Sequence, residues 1–145
     1  MYRSRTSKTC CVSRCQPPPE LFLDRSLGRH RVAAGLRAAG WAVRLHHDVY
    51  GERDESVTDV EWIEYCGRER LPVLSKDKRL RYRPAEIAAI RRFRVSVFTL
   101  VRGDLRAEEQ IERFLTNGHA IASQAVKSGP AVYAVHARRV EQLFP

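Results

Sequence analysis

The sequence predicts an α/β fold, a three-layer α/β/α sandwich with a mainly parallel central sheet. Three observations carry that prediction. From residue 20 onward, short apolar runs take turns with stretches of helical periodicity, the order expected of repeated strand and helix units. The apolar runs are short and end abruptly in polar residues, which reads as buried strands. The first unit, residues 20–45, has the length of a right-handed crossover between two parallel strands.

The elements follow in order. Residues 20–24 form a strand that ends on Asp24, and Ser26 stands where it can cap a helix whose stripe is Val32, Leu36 and Ala39. Gly40 closes that helix, and residues 41–45 are the second strand. Residues 46–56 are polar and read as a loop, with Asp48 an exposed turn residue. Thr58 and Glu61 match a capping box, so a helix starts at Asp59, with Asp59, Trp62, Ile63 and Cys66 on one face. Residues 71–74 are the third strand, breaking at once into Ser75, Lys76, Asp77, Lys78 and Arg79. Pro84 opens a short helix to about Arg92. Residues 95–100 are the fourth strand, Asp104 caps a helix over 105–117 with stripe Ile111, Phe114 and Leu115, and residues 131–135 are the last, edge strand. Gly118 and Gly129 punctuate a polar connection before it.

At 145 residues the chain fits one domain. Residues 1–19 read as a basic extension ending in Pro17, Pro18 and Pro19, and residues 20–145 as the domain. No apolar run approaches the roughly 18 residues of a membrane span. The extension lacks the apolar region of a secretory signal, so a cytoplasmic protein with reduced thiols is expected. The net charge is +9, of which Arg3, Arg5, Lys8 and Arg14 supply +4. Such an excess concentrates polyanions, and points to nucleic acid more than to anionic membrane, because no basic amphipathic helix stands apart from the core pattern. Cys10, Cys11 and Cys15 lack the second half of a zinc site, and the five histidines form no metal-binding motif.

What remains is acids at strand ends. Ligands of open α/β sheets bind outside the carboxyl ends of the strands, and helices that follow parallel strands begin at that same edge. Asp24, Asp77 and Asp59 are therefore expected to face one another, although Asp59 also suits the positive end of its helix on its own account. Eight basic residues between Lys76 and Arg94 flank the group against only Asp77 and Glu86, and Tyr82 among them has a ring that can stack on a base.

These residues carry a resemblance. The strand ending on Asp24 with its helix, the pattern Asp59-x-Glu-Trp62, and the run from Val73 to Lys78 are similar to the PIN-like domains of VapC-type toxins, over residues 21–115. The resemblance implies a compact α/β/α ribonuclease that binds Mg²⁺ or Mn²⁺ through strand-tip acids and is inhibited by a small antitoxin protein. It carries the family's acidic positions onto Asp24, Asp59 and Asp77, with Asp104 the nearest match for a fourth acid and Glu61 a poorer one. A homodimer is also implied.

The chemistry fits that residue set. Hard divalent cations prefer carboxylate oxygens, and crowded aspartates repel one another unless a cation is present. The expectation is a metal-dependent endoribonuclease in which Asp24, Asp59 and Asp77 hold the metal with Asp104 assisting, and Lys76, Lys78, Arg79 and Arg81 hold the RNA. A non-catalytic PIN-like module that binds RNA or protein is the alternative. A phosphoacceptor receiver domain is set aside, because Asp24 is followed by Arg25 rather than a second acid and the last strand leads to His136 and Ala137, not lysine.

Overall fold

The computed structural model describes residues 18–127 and 129–144. Most of the expected extension, with Cys10, Cys11 and Cys15, lies outside the described residues. Six strands form one sheet: β1 (Leu21–Leu23), β2 (Val43–Leu45), β3 (Val73–Ser75), β4 (Ser96–Leu100), β5 (Ala131–Val135) and β6 (Val140–Phe144). Their order across the sheet is β2-β1-β3-β4-β5-β6, parallel except for the antiparallel β5–β6 pair. The expected sandwich is present, with one correction. Residues 131–135 are not the edge, because residues 140–144 turn back along them.

The helices are α1 (Arg31–Ala38), α2 (His46–Tyr50), α3 (Asp59–Glu69), α4 (Pro84–Phe93), α5 (Ala107–Thr116) and α6 (Gly118–Ala125). Alternate residues of a strand face opposite sides, and the core divides accordingly. Leu21, Leu23, Leu74, Phe98 and Leu100 pack with Val32 and Leu36 of α1, Phe114 of α5 and Ile121 of α6. Phe22, Val73 and Val97 pack on the other face with Trp62, Ile63 and Cys66 of α3 and Ile90 of α4. Phe22 stacks on Trp62 with centroids 5.6 Å apart. No helix among the described residues is long and apolar enough to cross a membrane.

Several local readings change. Arg31, not Ser26, opens α1, which ends before Ala39, so Ala33 joins the buried stripe while Ala39 is exposed. The supposed loop after β2 holds the single turn α2 and a 3₁₀ stretch over Gly51–Ser56. Asp104 does not cap α5; Arg106 stands at the cap position, and Glu109 accepts from the Arg106 backbone N–H at 2.9 Å. Leu115 is partly exposed rather than part of the buried stripe, and the connection after it holds α6.

Two helix ends are unusual. α3 and α4 both terminate on a left-handed residue, Arg70 and Arg94, each with φ 58°. Glycine is the usual residue there, and a side chain with Cβ costs about 1 kcal/mol in that conformation. Gly67 allows the end of α3 to touch α4: a Cβ on it would lie 2.6 Å from the Phe93 carbonyl oxygen.

Candidate active site

Parallel pairing brings the ends of β1, β2, β3 and β4 to one rim, and the register sets which side chains meet there. Leu23 pairs with Leu74, and Ser75 with Thr99. Asp24, continuing β1, therefore stands beside Ser75 on the α3 and α4 side of the sheet, and its backbone N–H donates to the Leu74 carbonyl at 3.2 Å.

Asp24 is only 4% exposed. The Ser26 backbone N–H donates to its Oδ1 and the Ser75 hydroxyl to its Oδ2, each at 2.5 Å. Asp24 thus caps the 3₁₀ turn Arg25–Leu27, while the helix that Ser26 was expected to cap, α1, has His30 at its cap position. Ser26 Oγ instead accepts from the Lys76 backbone N–H at 3.0 Å. Ser75 Oγ also accepts from the Asp77 N–H at 2.9 Å, so one hydroxyl links Asp24 to the loop carrying Asp77. Burial pushes the Asp24 carboxyl up to about 6, against the hydrogen bonds from Ser26 and Ser75, and the neighbouring Asp77 charge adds to the rise. Asp24 has no basic partner among the described residues.

Asp77 caps the 3₁₀ turn Lys78–Arg81, accepting from the Arg79 backbone and from Arg79 Nε, both at 3.0 Å. Asp59 stands in the first turn of α3, as its face predicts, but is engaged: Trp62 Nε1 donates to it at 2.9 Å and Arg83 approaches at 3.5 Å. Arg79, bound to Asp77, also feels the Asp59 charge, which helps hold its guanidinium above the usual arginine range after the Asp77 contact itself. Glu61 completes the capping box, its carboxylate accepting from Thr58 N–H at 3.1 Å. Asp104 lies on the exposed loop after β4 and is bound by Arg102 at 3.0 Å. The structure thus ties Asp24 and Asp77 together through Ser75 and puts Asp59 one arginine away. It makes no contact between Asp104 and the other three.

Among the described residues, no three His, Cys, Asp or Glu side chains stand as a ready metal-holding group. The donor set still suits a hard cation. Mg²⁺ takes one or two carboxylates and keeps several waters, and here a buried carboxylate without a basic partner stands beside a second. Thr99 Oγ1, in register with Ser75, is buried with no hydrogen-bond partner among the described residues, so this end of the sheet keeps an unsatisfied polar atom.

Four candidates for holding phosphate follow β3. Lys76 and Arg81 are half-buried, while Lys78 and Arg79 are exposed. Arg81 lies over the Tyr82 ring at 4.9 Å, and Tyr82 itself is 64% exposed.

Sequence reasoning missed a neighbouring network. Asp54, read as a loop residue, is buried, bound by His46 Nδ1 and, at 3.1 Å, by Arg29; Arg25 donates to its backbone carbonyl at 3.0 Å. Burial would raise the Asp54 carboxyl, but the His46 and Arg29 contacts outweigh it and hold it below its ordinary value. Burial lowers the His46 imidazole. No motif marks this group: His46 and Asp54 meet around a turn, and Arg25 and Arg29 join them only when β1 and β2 pair.

Comparison with known proteins gives a consistent picture. The family described as PIN like domain matches residues 19–102, a span that contains Asp24, Asp59 and Asp77 but not Asp104. Over 125 residues the chain is 31% identical to "Putative ribonuclease VapC45" of Mycobacterium tuberculosis, covering 86% of this chain and 91% of that protein. No solved structure matches the chain.

Proposed function

The chain belongs to the PIN-like domain family, and on that premise we propose that it is a divalent-metal-dependent endoribonuclease, the toxin of a toxin–antitoxin pair. The observation that carries the reading is Asp24: a carboxyl buried at a strand tip, lifted to about 6, with no basic partner among the described residues and a second aspartate linked through Ser75. Keeping such a group costs stability unless a cation joins it.

Asp24 and Asp77 would hold Mg²⁺ or Mn²⁺, with Asp59 contributing once released from Arg83, and Asp104 as the outermost acid. The metal would supply a water of lowered pKa and neutralise charge on the phosphate under attack. Ser26 and Ser75 aim the Asp24 oxygens by donating to them. Lys76, Lys78, Arg79 and Arg81 would hold the phosphates on either side of the scissile bond, and Arg79 would exchange its contact with Asp77 for one with RNA. A small antitoxin protein, a homodimeric assembly and a cytoplasmic location complete the proposal.

The test is cleavage of a single-stranded RNA with Mn²⁺ or Mg²⁺ by the parent, Asp24→Asn and Asp77→Asn. Loss of cleavage in both variants is expected, and equal cleavage by all three sinks the assignment. One observation favours a second reading, a binding module without catalysis: no three-ligand group is preformed among the described residues. Calorimetry separates the two, since the enzyme binds Mn²⁺ in a manner that Asp24→Asn weakens and the module does not.

A further inference from the structure

At the edge of the sheet opposite the carboxylates, where β1, β3, β4 and β5 begin, a cavity of about 620 Å³ opens. Its apolar lining comes from Leu71, Pro72, Phe93, Val95 and Val126, and Val126 is 74% exposed at its lip. Its charged lining is of one sign: Arg70, Arg94 and Lys127 line it, and no acid among the described residues does. None of these three side chains has an ion-pair or hydrogen-bond partner among the described residues.

A second feature singles out the same place. Arg70 and Arg94 are the non-glycine residues at positive φ among the described residues, and both border this cavity. Glycine would terminate α3 and α4 without strain, so both positions carry a guanidinium at the expense of fold stability. The frame that holds them is tight. A Cβ on Gly67 would lie 2.6 Å from the Phe93 carbonyl oxygen, and one on Gly129 2.6 Å from that of Arg94. The two arginines therefore project from helix ends whose spacing is set by backbone contact.

We infer that this cavity binds a nucleoside di- or triphosphate, with the base against the apolar lining and the phosphates on Arg70, Arg94 and Lys127. The volume falls within the roughly 300–1,000 Å³ of small-molecule sites. Guanidinium forks match phosphate oxygens in pairs, and three cations around one enclosure suit a compact polyanion better than carboxylates spaced along a peptide. The site stands at the pole away from Asp24 and does not depend on the ribonuclease reading.

The experiment is calorimetric titration of the full chain with ATP at 0.15 M salt in EDTA, so that metal at the carboxylate rim plays no part. One molecule bound per chain is expected, about tenfold or more weakened by Arg70→Gly and by Arg94→Gly. Both variants should melt at the parent's temperature or above it, because glycine suits the backbone, so lost binding would not reflect lost folding. Arg138→Ala, an exposed charge elsewhere, should leave affinity unchanged and so exclude general attraction to a basic protein. Absence of binding, or equal affinity in the parent and both glycine variants, overturns the inference. So does binding of tripolyphosphate, an acidic peptide or a single-stranded RNA at this site as tightly as ATP.

Discussion

Replacing Asp24 by asparagine should make the metal-free protein more stable near neutral pH, and the size of the gain can be worked from its surroundings. The folded carboxyl titrates at about 6 and its ordinary value is 3.8, a gap equivalent to about 3 kcal/mol. Because the folded value is raised, the associated stability is complete below 3.8 and is lost as pH climbs through 6. Asparagine carries no charge and escapes that loss, but gives up one acceptor, a constant penalty of about 1 kcal/mol. The difference between the two proteins should therefore swing by about 3 kcal/mol toward the variant between pH 3 and pH 8. For 145 residues, at about 2.1 cal/mol/K each, this corresponds to about 10 °C in melting temperature. His46 titrates in the opposite sense, its lowered value withdrawing stability as pH falls, but it is common to both proteins and cancels. Thermal melts in EDTA at half-unit pH steps provide the measurement. Parallel curves for parent and variant across this range would refute the argument, and with it the claim that Asp24 is held unfavourably charged. Mn²⁺ should raise the parent's melting temperature at pH 8 and leave that of the variant nearly unchanged.

Gly67→Ala should destabilise the fold by about 2 kcal/mol or more, since its Cβ meets Phe93 backbone that has little room to move; a urea midpoint within 0.5 kcal/mol of the parent would show that α3 and α4 slide apart freely. Asp54→Ala leaves buried His46 without its partner and Arg29 without its carboxylate, and should cost roughly 3 kcal/mol by denaturant unfolding, whereas a loss below 1 kcal/mol would mean that solvent replaces the carboxylate. In a background made inactive by Asp77→Asn, Lys78→Ala should reduce the slope of log affinity for single-stranded RNA against log salt by about 0.7, and an unchanged slope would remove Lys78 from the phosphate contacts.

Much of the architecture could be read before the coordinates because it is written locally. β1 to β5 are short, largely apolar runs, and the Thr58–Glu61 capping box announced α3 within a residue. β6 escaped because Val140, Leu143 and Phe144 are spread among polar neighbours and acquire their meaning only by pairing with β5. α2 has five residues, too few for any periodicity to register. The strand-tip argument placed Asp24 and Asp77 on one rim, where Ser75 links them, since parallel topology fixes that edge whatever the loops do. It did not foresee Ser75, whose role depends on register, or the pairing of Asp54 with His46, whose partners are eight residues apart around a turn. Asp104 was misjudged as a cap because α5 begins at Ala107, beyond the reach of that side chain.

Ser75 has a consequence for how the carboxylate rim can evolve. A single hydroxyl both donates to Asp24 and accepts from the Asp77 amide, so the gap between the two acids is inherited from how β3 sits between β1 and β4. Repacking beneath it, at Phe22 or Val73, would stretch or close that gap before it unfolded anything. The first sign of such drift should be a changed preference between the smaller, stricter Mg²⁺ and a more accommodating ion such as Ca²⁺.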